Sequence, residues 1–267
     1  MVSAVLILLF ILGAAMGSFA CCQAWRIYKK DKSKWSHCMH CKYQLQWYDN
    51  IPILSWLFLR GKCRKCHKPI GWTEFLAEVG AGAMFALSFA FWPAHDALVA
   101  LNAIEIVKFV LFLIGLVIMV ILFVYDAKWK ELPVNLMYVL MGIGAVFCGL
   151  GIWQSYIADG SFDWLSLAGA LVVLPGFYYL MYKVSHECWV GSGDWMLCVS
   201  PALILGNFWL ALFMLFAANI IGSIIAIPMW MFSENKKKLQ IPFGPFLIMG
   251  FLLIFFLQAQ VMALVSF

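Results

Sequence analysis

Long apolar runs separated by short polar segments dominate this chain. Runs long enough to cross a bilayer as a helix, which takes about 20 residues, are expected near 3–24, 74–93, 104–125, 135–153, 165–183 and 243–266. A further run, 195–232, is about twice that length and contains Gly206-Asn207, so we expect a hairpin of two helices there. The pattern predicts an all-α polytopic membrane protein with about eight transmembrane helices, of which the sixth is short.

Composition supports this fold class. Of the 267 residues, 65% are hydrophobic and only 12% are charged, which excludes a soluble domain that hides its apolar surface in a single core. No internal repeat is evident. The only long polar segment is 25–72, which we expect to form a small loop domain.

The basic residues predict the orientation in the membrane. Segment 25–72 holds 11 of the 18 Lys and Arg residues, and such residues accumulate in cytoplasmic loops. If segment 25–72 is cytoplasmic and each following span crosses the membrane once, then Lys128, Lys130, Lys183 and 236–238 lie on the cytoplasmic side and both termini lie outside. In the first span the positive charges follow the apolar run, so we expect a retained helix. The basic segment should attract anionic lipid head groups.

Two CxxC pairs stand in the polar segment, separated by 21 residues. Each pair brings two sulfurs to one point, and the intervening chain can return so that four thiolates surround a tetrahedral zinc ion. The expected structural metal ligands are Cys38, Cys41, Cys63 and Cys66; a redox pair or a chance clustering of cysteines is the alternative. His37, His40 and His67 could replace a thiolate, but we expect each to face solvent. The other cysteines should be small buried hydrophobes: Cys21, Cys22, Cys148, Cys188 and Cys198.

Asp126 and Asp194 each stand at the end of an apolar run. Carboxylates at a membrane border are costly without a partner, and two on the same side suggest an acid/base pair. Gly191 and Gly193 would allow close approach of the backbone. Other interpretations remain open: Asp194 could cap a helix, Asp126 could be a solvated loop acid, and the two could belong to a proton or ion pathway.

Several motifs, in order along the chain, together resemble the bacterial type IV prepilin peptidases, membrane aspartic proteases of the GxGD type. The segments that carry the resemblance are Gly17-Ser18-Phe19, Tyr48-Asp49-Asn50-Ile51-Pro52-Ile53-Leu54-Ser55-Trp56-Leu57, Arg60-Gly61-Lys62-Cys63-Arg64-Lys65-Cys66, Glu78, Asp126 with Leu132-Pro133-Val134-Asn135, the GSGD sequence that ends at Asp194, and Ile241-Pro242-Phe243-Gly244-Pro245-Phe246-Leu247.

The resemblance implies an aspartic endopeptidase of the bacterial inner membrane, with its active site facing the cytoplasm. Such an enzyme removes the basic leader from prepilins or pseudopilins, and many members then N-methylate the new N-terminus with S-adenosylmethionine. Asp126 and Asp194 would be the catalytic pair and the four CxxC cysteines the zinc ligands. The implied domains are 1–24, the first transmembrane helix; 25–72, the zinc-binding loop domain; and 73–267, the peptidase domain.

The expected partners are a prepilin or pseudopilin helix and the lipid bilayer, and no nucleic acid; the oligomeric state is left open. Acids that could contact a basic leader are Glu74, Glu78, Glu131 and Glu187. Two other functions remain: a proton- or ion-coupled transporter that uses intramembrane acids, and a non-catalytic assembly factor that docks through the zinc loop.

Overall fold

The computed structural model describes residues 2–33, 35–187, 190–232 and 241–265. These residues form helices joined by turns, and no strand occurs among them. The helices are α1 (Val2–Lys29), α2 (Leu54–Phe58), α3 (Trp72–Ala90), α4 (His95–Val99), α5 (Ala103–Trp129), α6 (Val134–Asp159), α7 (Trp164–Leu171), α8 (Phe177–Ser185), α9 (Ser192–Leu205), α10 (Phe208–Met231), α11 (Gly244–Phe256) and α12 (Gln258–Val265).

The prediction of an all-α membrane protein with many spans is confirmed. Six segments in the described part of the chain are long and apolar enough to cross a bilayer: α1, α3, α5, α6, the combined segment Trp164–Ser185, and α10. The pair α11 and α12, bent by 71°, can count as a seventh. The difference from about eight lies in α9, whose 14 residues extend about 21 Å, less than the roughly 30 Å of a hydrocarbon core.

Helices α9 and α10 separate at the Gly206-Asn207 break that the sequence predicts. Gly206 adopts a left-handed conformation (φ +59°) and ends α9. The side-chain oxygen of Asn207 then accepts hydrogen bonds from the N–H groups of Trp209 and Leu210, at 2.9 and 3.3 Å, and begins α10. A glycine that stops one helix and an asparagine that caps the next explain the break.

The chain divides into two compact units, the first ending at Ala90 and the second beginning at Phe91. In the first unit α1 packs along α3 through small residues. A Cβ added at Gly17 would lie 2.5 Å from the carbonyl oxygen of Ala77, so this contact requires glycine. Small residues let helix backbones approach closely within a membrane, where burial of apolar side chains gives little drive for association.

The second unit is a helical bundle in which α5 packs against α6 and α11, α6 against α9, and α10 against α11. The segment Trp164–Ser185 contains one π-helical turn, Val172–Gly176, between α7 and α8. This turn holds Pro175, which has no N–H for a regular α-helical bond. The arrangement brings the C-terminal end of α5 together with the N-terminal ends of α9 and α11.

A buried polar cluster ties the beginning of α5 to its neighbours. Glu105 is 1% exposed; its Oε2 accepts a hydrogen bond from Trp92 Nε1 at 2.8 Å, and its Oε1 forms an ion pair with Lys108 Nζ at 3.0 Å. The same ammonium group donates to Gln154 Oε1 on α6 at 3.2 Å. Both carboxylate oxygens of Glu105 are therefore satisfied, which a buried charge requires.

Candidate active site and candidate metal site

Asp126 is a buried residue near the end of α5. It is only 5% exposed, so the interpretation as a solvated loop acid is wrong. Its Oδ2 accepts a hydrogen bond of 2.9 Å from the backbone N–H of Gly244, at the start of α11. A Cβ added at Gly244 would lie 2.8 Å from that oxygen, so only glycine lets this backbone approach the carboxylate so closely. The N-terminal end of a helix also favours a negative charge.

Asp194 is the third residue of α9 and is 8% exposed. Its Oδ2 accepts a hydrogen bond of 3.0 Å from the backbone N–H of Gly191. Asp194 therefore does cap its helix, but from within the first turn, as the acid of a capping box does. Gly193 packs against the segment that follows α5, since a Cβ there would lie 2.8 Å from Leu132.

The structure brings the two predicted aspartates into one region of the second unit. They are close enough for the charge on Asp126 to act on Asp194. Each carboxylate uses one oxygen to accept a backbone N–H bond. Two neighbouring carboxylates cannot easily both be ionised, so the arrangement can hold one acid and one base.

Two further residues, which are not among the predicted site residues, lie beside this region. Tyr178 on α8 is 2% exposed, and its hydroxyl accepts a hydrogen bond of 2.9 Å from Asn219 Nδ2 on α10. Its ring packs against Phe243, the residue before Gly244, with a centroid distance of 5.6 Å. The signal that could have found Asn219 is its amide within an apolar span, since a polar side chain there needs a partner.

The four predicted metal ligands meet in the first unit. The sulfur atoms of Cys38, Cys41, Cys63 and Cys66 all lie within 4.8 Å of one another, and Sγ of Cys38 is 3.8 Å from Sγ of Cys66. A tetrahedral zinc site with Zn–S bonds of about 2.3 Å requires sulfur separations of about 3.8 Å. The backbone N–H of Cys66 lowers the pKa of the Cys63 thiol to about 7, whereas burial and the three neighbouring sulfur atoms raise the pKa of the Cys66 thiol to about 11, as expected where several thiols share one site without a cation. The cluster could hold a metal ion.

The two CxxC turns have the same backbone hydrogen bonds, offset by 25 residues. In the first, Cys38 N–H donates to Tyr43 O, Lys42 N–H to Cys38 O, and Leu45 N–H to Ser36 O. In the second, Cys63 N–H donates to Lys68 O, His67 N–H to Cys63 O, and Ile70 N–H to Gly61 O. The repeated segments, 36–45 and 61–70, are ten residues each, which is too short for the sequence to show an evident internal repeat.

The remaining cysteine and histidine predictions have mixed outcomes. Cys21, Cys148 and Cys198 are buried and Cys22 is half-buried, as small hydrophobes should be, while Cys188 lies outside the described residues. His40 and His67 are exposed. His37 is instead half-buried, with its Nε2 3.7 Å from Asp31 Oδ2.

Glu78 joins three of the segments that carry the family resemblance. It lies on α3, is 7% exposed, and its Oε2 accepts a hydrogen bond of 2.7 Å from the N–H of Ile53. Glu78 also lies against α1, since a Cβ added at Gly17 would be 2.8 Å from its Cα. Ile53 has a positive φ of 64°, which is strained for a β-branched residue, and the bond to Glu78 holds the backbone in that conformation. Glu78 is therefore not an exposed acid of the kind predicted to contact a leader.

Fold and site together define a class: a multi-pass helical membrane protein with two buried aspartates beside glycine-rich helix ends and a separate four-cysteine cluster. The family model described as the Bacterial Peptidase A24 N-terminal domain matches residues 11–92, close to the extent of the first unit. No solved structure matches the chain.

Curated relatives match most of the chain and carry one name, prepilin leader peptidase/N-methyltransferase. The relative from Vibrio cholerae serotype O1 is 30% identical over 94% of this chain and 96% of its own length. That from Legionella pneumophila is 28% identical over 88% of this chain and 79% of its own length. That from Stutzerimonas stutzeri is 28% identical over 79% and 68%, respectively. The chain belongs to the prepilin leader peptidase/N-methyltransferase family.

Proposed function

We propose that Asp126 and Asp194 are the catalytic pair of a membrane aspartic endopeptidase that removes the basic leader peptide from prepilins or pseudopilins. One observation carries the assignment: Asp126 Oδ2 accepts the N–H of Gly244, 118 residues away in sequence, at 2.9 Å. That contact joins the Asp126 segment to the IPFGPF segment, and Asp194 lies close enough to interact with the same carboxylate. Family membership supports the substrate and the reaction.

The pair can hydrolyse a peptide bond without a covalent intermediate. One carboxylate, ionised, takes a proton from water as the water oxygen attacks the scissile carbonyl carbon; the other, protonated, donates its proton to the carbonyl oxygen. As the tetrahedral intermediate collapses and the C–N bond breaks, the carboxyl group that took the proton from water gives it to the leaving amine, and the other carboxylate takes back the proton of the hydroxyl group, which restores the pair. The backbone N–H groups of Gly244 and Gly191 fix the two carboxylates throughout. Because the two carboxyl groups interact, an apparent pKa measured for such a pair is a property of the pair and not of either aspartate alone.

We assign zinc to the four-cysteine cluster as a structural ion. Four thiolate ligands fill a tetrahedral zinc site and leave no position for a substrate, so the ion would hold the loop between α1 and α3 in its fold. N-methylation of the new N-terminus would use S-adenosylmethionine as the methyl donor. We assign no residues to that cofactor, because the described ranges contain no glycine-rich strand–turn–helix unit for a nucleotide.

The substrate is a helix with a basic leader that reaches the enzyme from within the bilayer. We place the enzyme in the bacterial inner membrane with the aspartates at the cytoplasmic border, following the distribution of basic residues. In this proposal, 1–24 is the first transmembrane helix, 25–72 is the zinc-binding loop domain and 73–267 is the peptidase domain. Glu131 and Glu187 are exposed acids that follow Asp126 and precede Asp194 in sequence, and they are suited to contact a basic leader.

The test is cleavage of a co-expressed prepilin-like substrate whose basic leader ends in glycine. Asp126→Asn and Asp194→Asn should each abolish cleavage, because the pair needs one proton acceptor and one donor. Asp159→Asn is the matched control: it makes the same chemical change at an exposed acid and should cleave normally. Protein level and metal content should match wild type in all three variants.

The same experiment distinguishes the peptidase from the two other candidate functions, a transporter and an assembly factor. Cleavage that survives either catalytic substitution would remove that aspartate from the mechanism. A transporter would show proton or ion flux that depends on these acids but no leader cleavage by the wild-type protein, and an assembly factor would keep its function in Asp126→Asn. The family membership favours neither of these two alternatives.

A further inference from the structure

A basic groove lies in the first unit, where α1 ends and the first CxxC turn begins. It is an open depression of about 830 Å³, and its lining includes Lys29, Lys30, Lys32, Lys42, Trp25 and Trp35. We propose that this groove binds the head group of an anionic phospholipid. The proposal is independent of the assignment of Asp126 and Asp194.

The path of the chain builds the groove. Lys30 has a positive φ of 52° at the end of α1, and the N–H of Asp31 donates to the carbonyl oxygen of Arg26 at 3.0 Å, which closes the helix. The following segment then runs beside the last turns of α1. The Trp25 and His37 rings meet edge to face at 5.5 Å, and Cys22 Sγ lies 3.9 Å from Ser36 Oγ.

The charges of the groove favour an anion. Its one acid, Asp31, is engaged within the protein: Oδ1 accepts the N–H of Ser33 and Oδ2 accepts the Ser33 hydroxyl, both at 2.9 Å, and Oδ2 lies 3.7 Å from His37 Nε2. Lys30, Lys32 and Lys42 are exposed, and within the described residues no ion pair with an acid involves any of them. Among the described lining residues, four lysines stand against one carboxylate, so the net charge of the groove is positive and would repel the basic leader of a substrate.

The position of the groove indicates a lipid and not a soluble anion. The apolar helix α1 is a candidate membrane span that ends at Lys29, so Lys29, Lys30 and Lys32 follow directly from the hydrocarbon region at the depth of the head groups. Lysine side chains there can extend their ammonium groups to phosphates. Trp35 is 66% exposed, and exposed indoles are typical of the membrane–water interface.

The second CxxC turn supplies a matched comparison. It has the same backbone hydrogen bonds and carries the exposed lysines Lys62, Lys65 and Lys68, but none of these lines the groove. A triple Lys→Gln change there removes the same charge from the same loop. If the two triple variants differ in their preference for the anionic lipid, the difference is therefore due to binding in the groove and not to the total charge of the loop.

The experiment measures which lipids the purified full-length protein retains, by native mass spectrometry, from an equimolar mixture of phosphatidylglycerol and phosphatidylethanolamine. Wild type and Lys62→Gln/Lys65→Gln/Lys68→Gln should retain phosphatidylglycerol preferentially. Lys30→Gln/Lys32→Gln/Lys42→Gln should lose that preference by roughly tenfold to a hundredfold, since each basic residue near an anionic surface contributes about fivefold to binding. Metal content and thermal stability of each variant check that the loop remains folded.

Three outcomes would overturn the proposal. Equal loss of preference in both triple variants would mean diffuse charge attraction and no defined site. An unchanged preference in the groove variant would place the lipid elsewhere. Displacement of phosphatidylglycerol from wild type by inorganic phosphate would make the groove a site for a soluble anion. If the groove variant fails to fold, these displacement measurements on wild type still decide between a lipid and a soluble anion.

Discussion

At the scale of single residues, Gly244 determines how closely a backbone can approach Asp126. Its N–H bonds to Asp126 Oδ2 at 2.9 Å, and a Cβ would occupy space 2.8 Å from the same oxygen. Because that is closer than a carbon and an oxygen normally approach, either α11 or the carboxylate must move when Gly244 is replaced. The residue thus couples the start of one helix to the orientation of a catalytic candidate on another.

We therefore expect Gly244→Ala to lower the rate of leader cleavage by roughly a hundredfold, the size of effect that a displacement of about 1 Å can have on a catalytic group. Gly149→Ala in α6 is the control, because a Cβ there meets nothing within 4 Å. Initial cleavage rates at equal protein levels measure both. Cleavage at the wild-type rate by Gly244→Ala would show that this contact does not position Asp126.

At the scale of elements, the beginning of α5 is held by the Glu105–Lys108 ion pair. Lys108 also reaches Gln154 on α6, and Glu105 also accepts from Trp92, so the pair links α5 to α6 and to the segment before α4. A buried pair of this kind costs desolvation, but removal of one partner leaves the other charge uncompensated.

Lys108→Met should lower the thermal stability of the purified protein, with a loss of about 3–5 kcal/mol typical for breaking a buried pair. The double change Glu105→Gln/Lys108→Met should recover part of that loss, because it also removes the stranded negative charge. Lys183→Met, at an exposed lysine of α8, should have little effect. Thermal unfolding in detergent measures all three; a double variant no more stable than Lys108→Met would contradict the argument.

At the scale of the whole molecule, the two units have different sources of stability. The second is a bundle of packed helices. The first consists of the α1–α3 pair and a loop whose helices, α2 and one 3-10 turn at Trp47–Asn50, are short. So short a loop has little apolar core of its own, and a metal ion would supply much of its folding free energy.

Removal of the metal should therefore unfold the loop and leave the bundle intact. After chelation, and in Cys63→Ser, we expect proteolytic cleavage between Ser36 and Gly71, with the second unit still protected. Wild type and Cys22→Ser, a cysteine outside the cluster, should bind stoichiometric zinc and resist cleavage. Metal analysis and limited proteolysis measure this; a wild-type protein purified without zinc and with a protected loop would refute the structural role.

The sequence by itself determined the features that depend on local pattern. The lengths of the apolar runs predict the membrane-spanning helices, and Gly206-Asn207 predicts the break between α9 and α10. The spacing of the two CxxC pairs predicts the four-cysteine cluster. It also named Asp126 and Asp194, because charge at the end of an apolar run needs an explanation. Each of these signals lies within a short stretch of chain, so no knowledge of the packing was needed to find it.

Only the tertiary structure decided which distant groups meet. The bond from Gly244 to Asp126, the bond from Ile53 to Glu78, and the contact of Tyr178 with Asn219 and Phe243 each join residues far apart in sequence. Hydropathy assigns these residues to helices and loops but not to faces that touch, because helix rotation and approach are set by side-chain packing. The depth of Asp126 below the surface follows from the same packing.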